Sequence, residues 1–254
     1  MRLQALEAGQ GPPLVLLHGL FGSARNWGAV QKALAGSYRV VALDLRNHGA
    51  SPHAPSMDYA AQAIDVAETL SALGIGHAVV LGHSMGGKVA MMLALTQPAS
   101  VDRLIIADIA PRPYPPALRA VVAAMQAVPM HAALTRQEAD QALRAAVPEA
   151  PIRSFLLQNL RFETSPPSWR IGLAEIAVAM SEIEDFAPPP GARYGGPALA
   201  MAGALSPYIR AEDHAAFRAL FPHISFASIP RAGHWLHAEN PEGFLAELQG
   251  FLSA

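Results

Sequence analysis

Six short, largely apolar runs punctuate this chain: Leu14–Leu17, Arg39–Leu43, Ala78–Leu81, Arg103–Ala107, Ala198–Ala202 and Ile224–Ile229. A strand with one wet face alternates apolar and polar residues, whereas a strand covered on both faces is apolar throughout. Stretches near 26–35, 57–73, 85–96, 209–220 and 241–253 keep helical spacing between and after the runs. The last starts at Asn240-Pro241, an N-cap followed by a proline at the first helical position. Strand and helix alternating in this way predict an α/β chain: a mostly parallel, twisted sheet with helices on both faces.

The rhythm breaks between Pro111 and Gly196. Roughly 85 residues intervene, where a crossover between parallel strands needs only a dozen or more. The segments there are all helix-compatible, near 115–127, 136–146, 151–161 and 168–181. Pro115-Pro116, Pro166-Pro167 and Pro188-Pro189-Pro190 separate them. The expectation is an inserted helical cap, or lid, over 112–190, with 1–111 and 191–254 forming the sheet core. No internal repeat is visible.

Composition removes several alternatives. At 254 residues the chain can bury roughly three quarters of its unfolded surface without a disulfide or metal staple. It has no cysteine, which excludes a disulfide scaffold, a cysteine-ligated zinc and a thiol nucleophile. The 18 basic and 20 acidic side chains leave a net charge of −2, giving no electrostatic reason to expect nucleic acid or an anionic membrane. No run approaches the ~20 apolar residues of a membrane span. Met1-Arg2-Leu3-Gln4-Ala5-Leu6-Glu7 lacks the apolar stretch of a secretory signal. A cytoplasmic enzyme is expected; composition leaves oligomeric state open.

Gly82-His83-Ser84-Met85-Gly86 follows an apolar run directly and opens a helix. This is the strand–turn–helix context of a nucleophile elbow, in which the serine hydroxyl is lifted clear of the sheet. Gly82 and Gly86 have no side chain because strand and helix backbones pass too close there. The bland reading is a glycine-rich turn in which Ser84 only caps the helix. A serine hydroxyl also needs an adjacent base, and ten histidines compete. His234, in the loop after the last apolar run, can reach the elbow from the C-terminal end of a strand. His83 is committed to the turn, His18 suits holding backbone, His48 and His53 sit in a polar loop, and His237 is the rival one turn on.

The acid is less direct. It ordinarily follows the strand after the inserted region, yet Met201-Ala202-Gly203-Ala204-Leu205-Ser206-Pro207 holds no carboxylate. Glu212 and Asp213 fall within a helical pattern. Asp108 ends the preceding run, which neighbours the nucleophile strand if sequential strands pair, so Asp108 is assigned the task of orienting His234, with Ser206 able to add a hydrogen bond. Asp44, also at a strand end, reads as a brace for the Arg46–Gly49 loop. Oxyanion donors are expected from Met85 N–H and from Leu20 or Phe21 N–H in His18-Gly19-Leu20-Phe21-Gly22. The side chains of Leu20 and Phe21 would line an apolar acyl pocket.

With these pieces in place the sequence resembles the α/β-hydrolase superfamily along its whole length, and within it the esterase YbfF and abhydrolase-domain-containing 11 group. The resemblance rests on His18-Gly19-Leu20-Phe21-Gly22-Ser23, Asp44-Leu45-Arg46-Asn47-His48-Gly49, Gly82 through Lys88, Asp108-Ile109-Ala110-Pro111 with Tyr114, Ser206-Pro207-Tyr208 and Gly233-His234-Trp235-Leu236-His237. It implies an α/β-hydrolase fold, hydrolysis of a small-molecule carboxylic ester or acyl thioester, no cofactor or metal, and the displaced acid at Asp108 with Ser206 beside it. The departures cluster in the Ala- and Pro-rich cap, so substrate preference does not carry over. Tyr114 and Trp235 are candidate substrate contacts. Phe155, Phe162 and Trp169 read as cap core. A C–C hydrolase, perhydrolase or lyase of the same fold is the alternative, and a receptor-like binding protein a more distant one, since fold does not dictate chemistry.

Overall fold

The computed structural model describes residues 1–253. In chain order the elements are β1 (Ala5–Ala8), β2 (Pro13–Leu17), α1 (Gly28–Leu34), β3 (Arg39–Leu43), α2 (Tyr59–Ala72), β4 (Ala78–His83), α3 (Met85–Thr96) and β5 (Val101–Ala107). There follow α4 (Arg119–Gln126), α5 (Arg136–Leu143), α6 (Ala150–Leu156), β6 (Leu160–Arg161), β7 (Ser168–Trp169), α7 (Leu173–Val178) and α8 (Met180–Glu184). The chain ends with β8 (Ala198–Gly203), α9 (His214–Leu220), β9 (Ile224–Ile229), α10 (Leu236–Glu239) and α11 (Pro241–Ser253).

Seven strands form one sheet in the order β1-β3-β2-β4-β5-β8-β9. All pairings are parallel except β1 with β3. All six apolar runs are strands of this sheet; burial on both faces explains the composition of the five inner ones, whereas β9 is an edge strand with Ser225 and Ser228 exposed. Leu14 and Leu16 face one side with Trp27, Val30, Leu34, Phe244 and Leu248; Val15 and Leu17 face the other with Val66, Leu70, Val89 and Leu93. Successive side chains of a strand point to opposite faces, so both sets must be apolar when helices cover both faces.

Strand order reverses around β2: the chain moves outward to β3, then returns to the other side of β2 as β4. Such a switch point opens a crevice at the carboxyl ends of the strands. Register then decides what meets there. Leu17 lies opposite Gly82, His83 opposite Ala107, Ala107 opposite Met201, and Gly203 opposite Ile229. The residues just beyond these pairs, on five separate loops, are therefore brought to one edge of the sheet by the ladder itself.

Some sequence expectations need correction. The short Ala5–Ala8 segment is an antiparallel edge strand, and Glu7 among its four residues breaks any apolar run that would betray it. The region between β5 and β8 is not purely helical. Leu160–Arg161 and Ser168–Trp169 pair as a small antiparallel ladder, and 168–181 is not one helix but β7 followed by α7 and α8. Arg170 N–H donates to Asn159 O (2.7 Å) and Gly172 N–H to Asn47 O (2.9 Å), which ties the backbone away from helical bonding at that point. The segment expected from 115 begins its helix only at Arg119, after Pro115-Pro116. Helices 26–35 and 209–220 each start with a 3-10 turn, Ala24–Trp27 and Ala211–Asp213. Among the described residues no helix is long and apolar enough to cross a membrane.

Candidate active site

Ser84 sits between β4 and α3 with φ 53° and ψ −120°, outside the ordinary range of an L-residue. Backbone strain of this kind persists only where the surroundings over-determine it. Here they do. Ser84 N–H donates to Ala107 O (2.9 Å), and Ser84 O accepts from Gly87 N–H (2.8 Å). A Cβ at Gly82 would lie 2.0 Å from Gly86 O, and one at Gly86 would lie 2.5 Å from His18 O. Gly82→Ala is therefore expected to lower stability by about 1–3 kcal/mol or more, the range for overpacked sites. Gly76, with open space around its would-be Cβ, is the control: Gly76→Ala is expected to leave the thermal midpoint nearly unchanged. Equal midpoints for the two variants would contradict the close approach.

The structure brings Ser84, His234 and Asp108 together. His234 Nε2 lies 3.1 Å from Ser84 Oγ and its Nδ1 lies 2.8 Å from Asp108 Oδ2. Asp108 is fully buried and also adopts a positive φ, 54°. Its Oδ1 accepts from Gly203 N–H (3.0 Å), and its Oδ2 also accepts a short hydrogen bond from Ser206 Oγ–H. With the carboxylate filled as an acceptor, His234 carries its proton on Nδ1 and presents Nε2 as an acceptor to the serine hydroxyl. Tyr208 stacks on the imidazole, ring centroids 4.0 Å apart at 20°, and its N–H donates to Ser206 Oγ (3.2 Å). His83 Nε2–H donates to the main-chain oxygen of His234 (2.7 Å), which steadies the loop from below.

The other acids and bases are engaged elsewhere. Asp213 accepts from Arg112 Nε (2.7 Å) and Arg210 N–H (2.9 Å). His237 packs against His83 and Trp27, and its Nδ1 is buried without a partner. Asp44 accepts from Ala24 N–H (2.7 Å) and Ala50 N–H (2.8 Å), holding the loop between them.

Of the two alternatives in the first loop, Phe21 N–H is taken: it donates to His48 Nε2 at 3.1 Å. Phe21 O accepts from Asn159 Nδ2 (2.8 Å), and its side chain is buried in the core. Neither the N–H nor the ring of Phe21 faces the cavity, which corrects it as a donor and as a pocket wall. The N–H groups of Leu20 and Met85 meet no protein acceptor among the described residues. Leu20, Ser84 and Met85 line a cavity of about 380 Å³.

Two buried histidines shape that loop. His18 Nδ1–H donates to Gly19 O (2.8 Å) while its Nε2 accepts from Leu45 N–H (3.0 Å). His48 Nδ1–H donates to Arg46 O (2.9 Å) while accepting from Phe21. Each needs a neutral ring. Burial pushes His18 down to about 4, and burial with the neighbouring His18 pushes His48 down to about 3, from 6.5. A depressed histidine adds stability above its unfolded pKa and loses it as pH falls through the folded value. Stability is thus expected to fall as pH drops from about 6.5 toward 4 and 3. In thermal melts, His48→Gln, which keeps an acceptor for Phe21, should flatten that decline. An unaltered slope would rule His48 out as a source.

The cavity wall also holds Tyr59, Lys88, Ile109, Arg112, Tyr114 and Tyr208. Tyr114 lines it, and its hydroxyl donates to Tyr208 O (2.5 Å) while accepting from Ala110 N–H (2.8 Å). Trp235 does not line it; its ring packs near those of Phe155 (6.1 Å) and His234 (5.6 Å). Phe155 and Trp169 pack partly buried against the core, whereas Phe162 is exposed. Lys88 and Tyr208 had no role assigned from sequence. The available signal for Lys88 was its being the only charged residue in Met85–Thr96, an otherwise apolar helix. Among the described residues no group of three or more His, Asp or Glu side chains is placed to hold a metal ion.

Comparison with known proteins gives a consistent setting. A family model described as alpha/beta hydrolase fold matches residues 12–241. An sn-1-specific diacylglycerol lipase ABHD11 from Xenopus laevis is 42% identical over 252 residues, covering 96% of this chain and 80% of the relative. Esterase YbfF from Escherichia coli K12 is 35% identical, covering 95% and 93%. Among solved structures, a marine microorganism esterase superposes with a TM-score of 0.95 at 34% identity, covering 98% and 99%. These named relatives are hydrolases acting on ester bonds.

Proposed function

The chain belongs to the alpha/beta hydrolase fold family, and on that premise we propose that it is a serine hydrolase cleaving carboxylic esters or acyl thioesters. The observation that carries the reading is the unbroken hydrogen-bond chain Ser84 Oγ, His234, Asp108, starting from a strained residue at a sheet crevice. Ser84 Oγ attacks the substrate carbonyl carbon while its proton passes to His234 Nε2. The carbonyl oxygen becomes an oxyanion, received by Leu20 N–H and Met85 N–H. His234 then gives the proton to the departing alcohol or thiol, leaving an acyl group on Ser84. Water, deprotonated by His234, repeats the sequence and frees the acid. Asp108 holds Nδ1–H in place and stabilises the imidazolium, and the hydrogen bonds from Ser206 Oγ–H and Gly203 N–H keep the Asp108 carboxylate aimed.

The segment 112–190 acts as a cap over this site. Support comes from its position between β5 and β8 and from Pro115, Ala117, Leu118, Met180 and Ile183 lining the cavity opposite Ser84. Tyr114 contributes to the wall. The test is a chain-length series of p-nitrophenyl esters and acyl thioesters. Hydrolysis should fall off once the acyl group outgrows the cavity. Failure to hydrolyse any member, by protein that turns over a carbon–carbon or peracid substrate instead, would overturn the ester assignment.

A further inference from the structure

Lys88 lies one helical turn beyond Ser84, on the cavity side of α3, and only 1% of it is exposed. Among the described residues no carboxylate comes within salt-bridge distance. Its ammonium donates to two main-chain oxygens, Asp185 O (2.8 Å) and Glu184 O (3.2 Å), which leaves one of three N–H groups without a protein acceptor. The Glu184 carboxylate is engaged by Arg119 (2.5 Å), and Asp185 Oδ1 by Phe186 N–H (2.8 Å). The ammonium also sits 5.0 Å from the Tyr114 ring centroid and 5.4 Å from that of Tyr59. A second cation rests on the same Tyr114 ring: Arg112, whose Cζ is 4.2 Å from the centroid.

Two positive charges are thus held around one tyrosine in the wall of a largely apolar cavity, and only Arg112 has a carboxylate, Asp213. A desolvated cation without a counter-charge is costly. Burial pushes Lys88 down to about 7, with Arg112 adding to the shift and the Asp185 and Glu184 carboxylates opposing it without forming an ion pair. Ester chemistry at Ser84 needs no cation at this place. An anion on the substrate supplies what the wall lacks.

We propose that the Lys88–Tyr114–Arg112 wall is a subsite for a carboxylate carried by the substrate, so that this protein favours monoesters of dicarboxylic acids over uncharged esters of equal length. The proposal rests on the serine-hydrolase reading above and deepens it. Ser84 precedes α3 and Lys88 lies in its first turn, with Lys88 N–H donating to Ser84 O (3.2 Å), and both side chains line the same cavity of about 380 Å³. An acid of a few carbons therefore spans from the attacked carbonyl to the ammonium.

The test compares methyl monoesters of succinic, glutaric and adipic acids with methyl esters of the matching unbranched acids. It uses intact wild-type protein, Lys88→Gln and Lys88→Met, with fluorophosphonate labelling of Ser84 alongside. A charge-assisted hydrogen bond corresponds to about ten- to a hundredfold in kcat/KM. Wild type should prefer the carboxylated member of at least one pair by that factor. The preference should vanish in both variants while hydrolysis of the uncharged ester persists. Gln keeps donors for the Glu184 and Asp185 oxygens, so a merely structural role of Lys88 would affect both substrates alike and leave their ratio intact. An unchanged ratio, or no wild-type preference at any length in protein that labels at Ser84, overturns the subsite alone. Absence of both labelling at Ser84 and turnover of every ester overturns the serine-hydrolase reading with it.

Discussion

Replacing Ser84 with alanine is expected to lower kcat for a p-nitrophenyl ester by about 10⁵- to 10⁶-fold, with KM little changed. The magnitude follows from what the hydroxyl does: without it no acyl-enzyme forms, and what remains is binding plus the oxyanion donors, worth roughly 10³–10⁴ over water in a comparable hydrolase. The fold should survive. Alanine removes one oxygen from a residue whose backbone is held by Ala107 O and by the N–H groups of Gly87 and Lys88, and the strained φ is imposed by those bonds rather than by the side chain. A thermal midpoint within a few degrees of wild type, with the rate lost, is the expected pair of results. Steady-state kinetics on carefully purified variant protein checks it, and a rate near wild type would place the chemistry on another residue.

Asp108→Asn should reduce kcat by about 10⁴-fold, the loss seen when the same exchange flips the histidine tautomer in another triad enzyme. An asparagine amide at this place can donate to His234 Nδ1. The ring proton would then move to Nε2, where it faces Ser84 and can no longer accept the hydroxyl proton. Asp213→Asn should lose far less, since Asp213 is bound to Arg112 and to Arg210 N–H rather than to His234. The two variants together locate the acid. Activity in the first with collapse in the second would assign it to the helix start at Asp213.

The five inner strands could be read because burial on both faces leaves short apolar runs bounded by loop residues, and the equally apolar Val89–Leu95 of α3 is set apart by following the elbow directly. The elbow could be read because its glycines are demanded by backbone contacts only four residues apart. Asp108 emerged by elimination along β5 and β8, and the ladder puts its carboxylate beside His234. Elements with short or mixed signals escaped. Ala5–Ala8 is too brief for a pattern, and the Leu160–Trp169 ladder rests on two residue pairs. The choice between Leu20 and Phe21 turned on a hydrogen bond to His48, 27 positions away in sequence, which no local pattern encodes. Tyr208 against His234, and Lys88 against the main-chain oxygens at the end of α8, are likewise contacts made only once the chain has closed on itself.

The most direct test of the central claim is mass spectrometry of the protein after reaction with a fluorophosphonate. One adduct per chain on the Ser84 peptide, formed slowly or not at all in His234→Ala, is the predicted result. An adduct on a different residue, or none from a preparation that still hydrolyses esters, would contradict it.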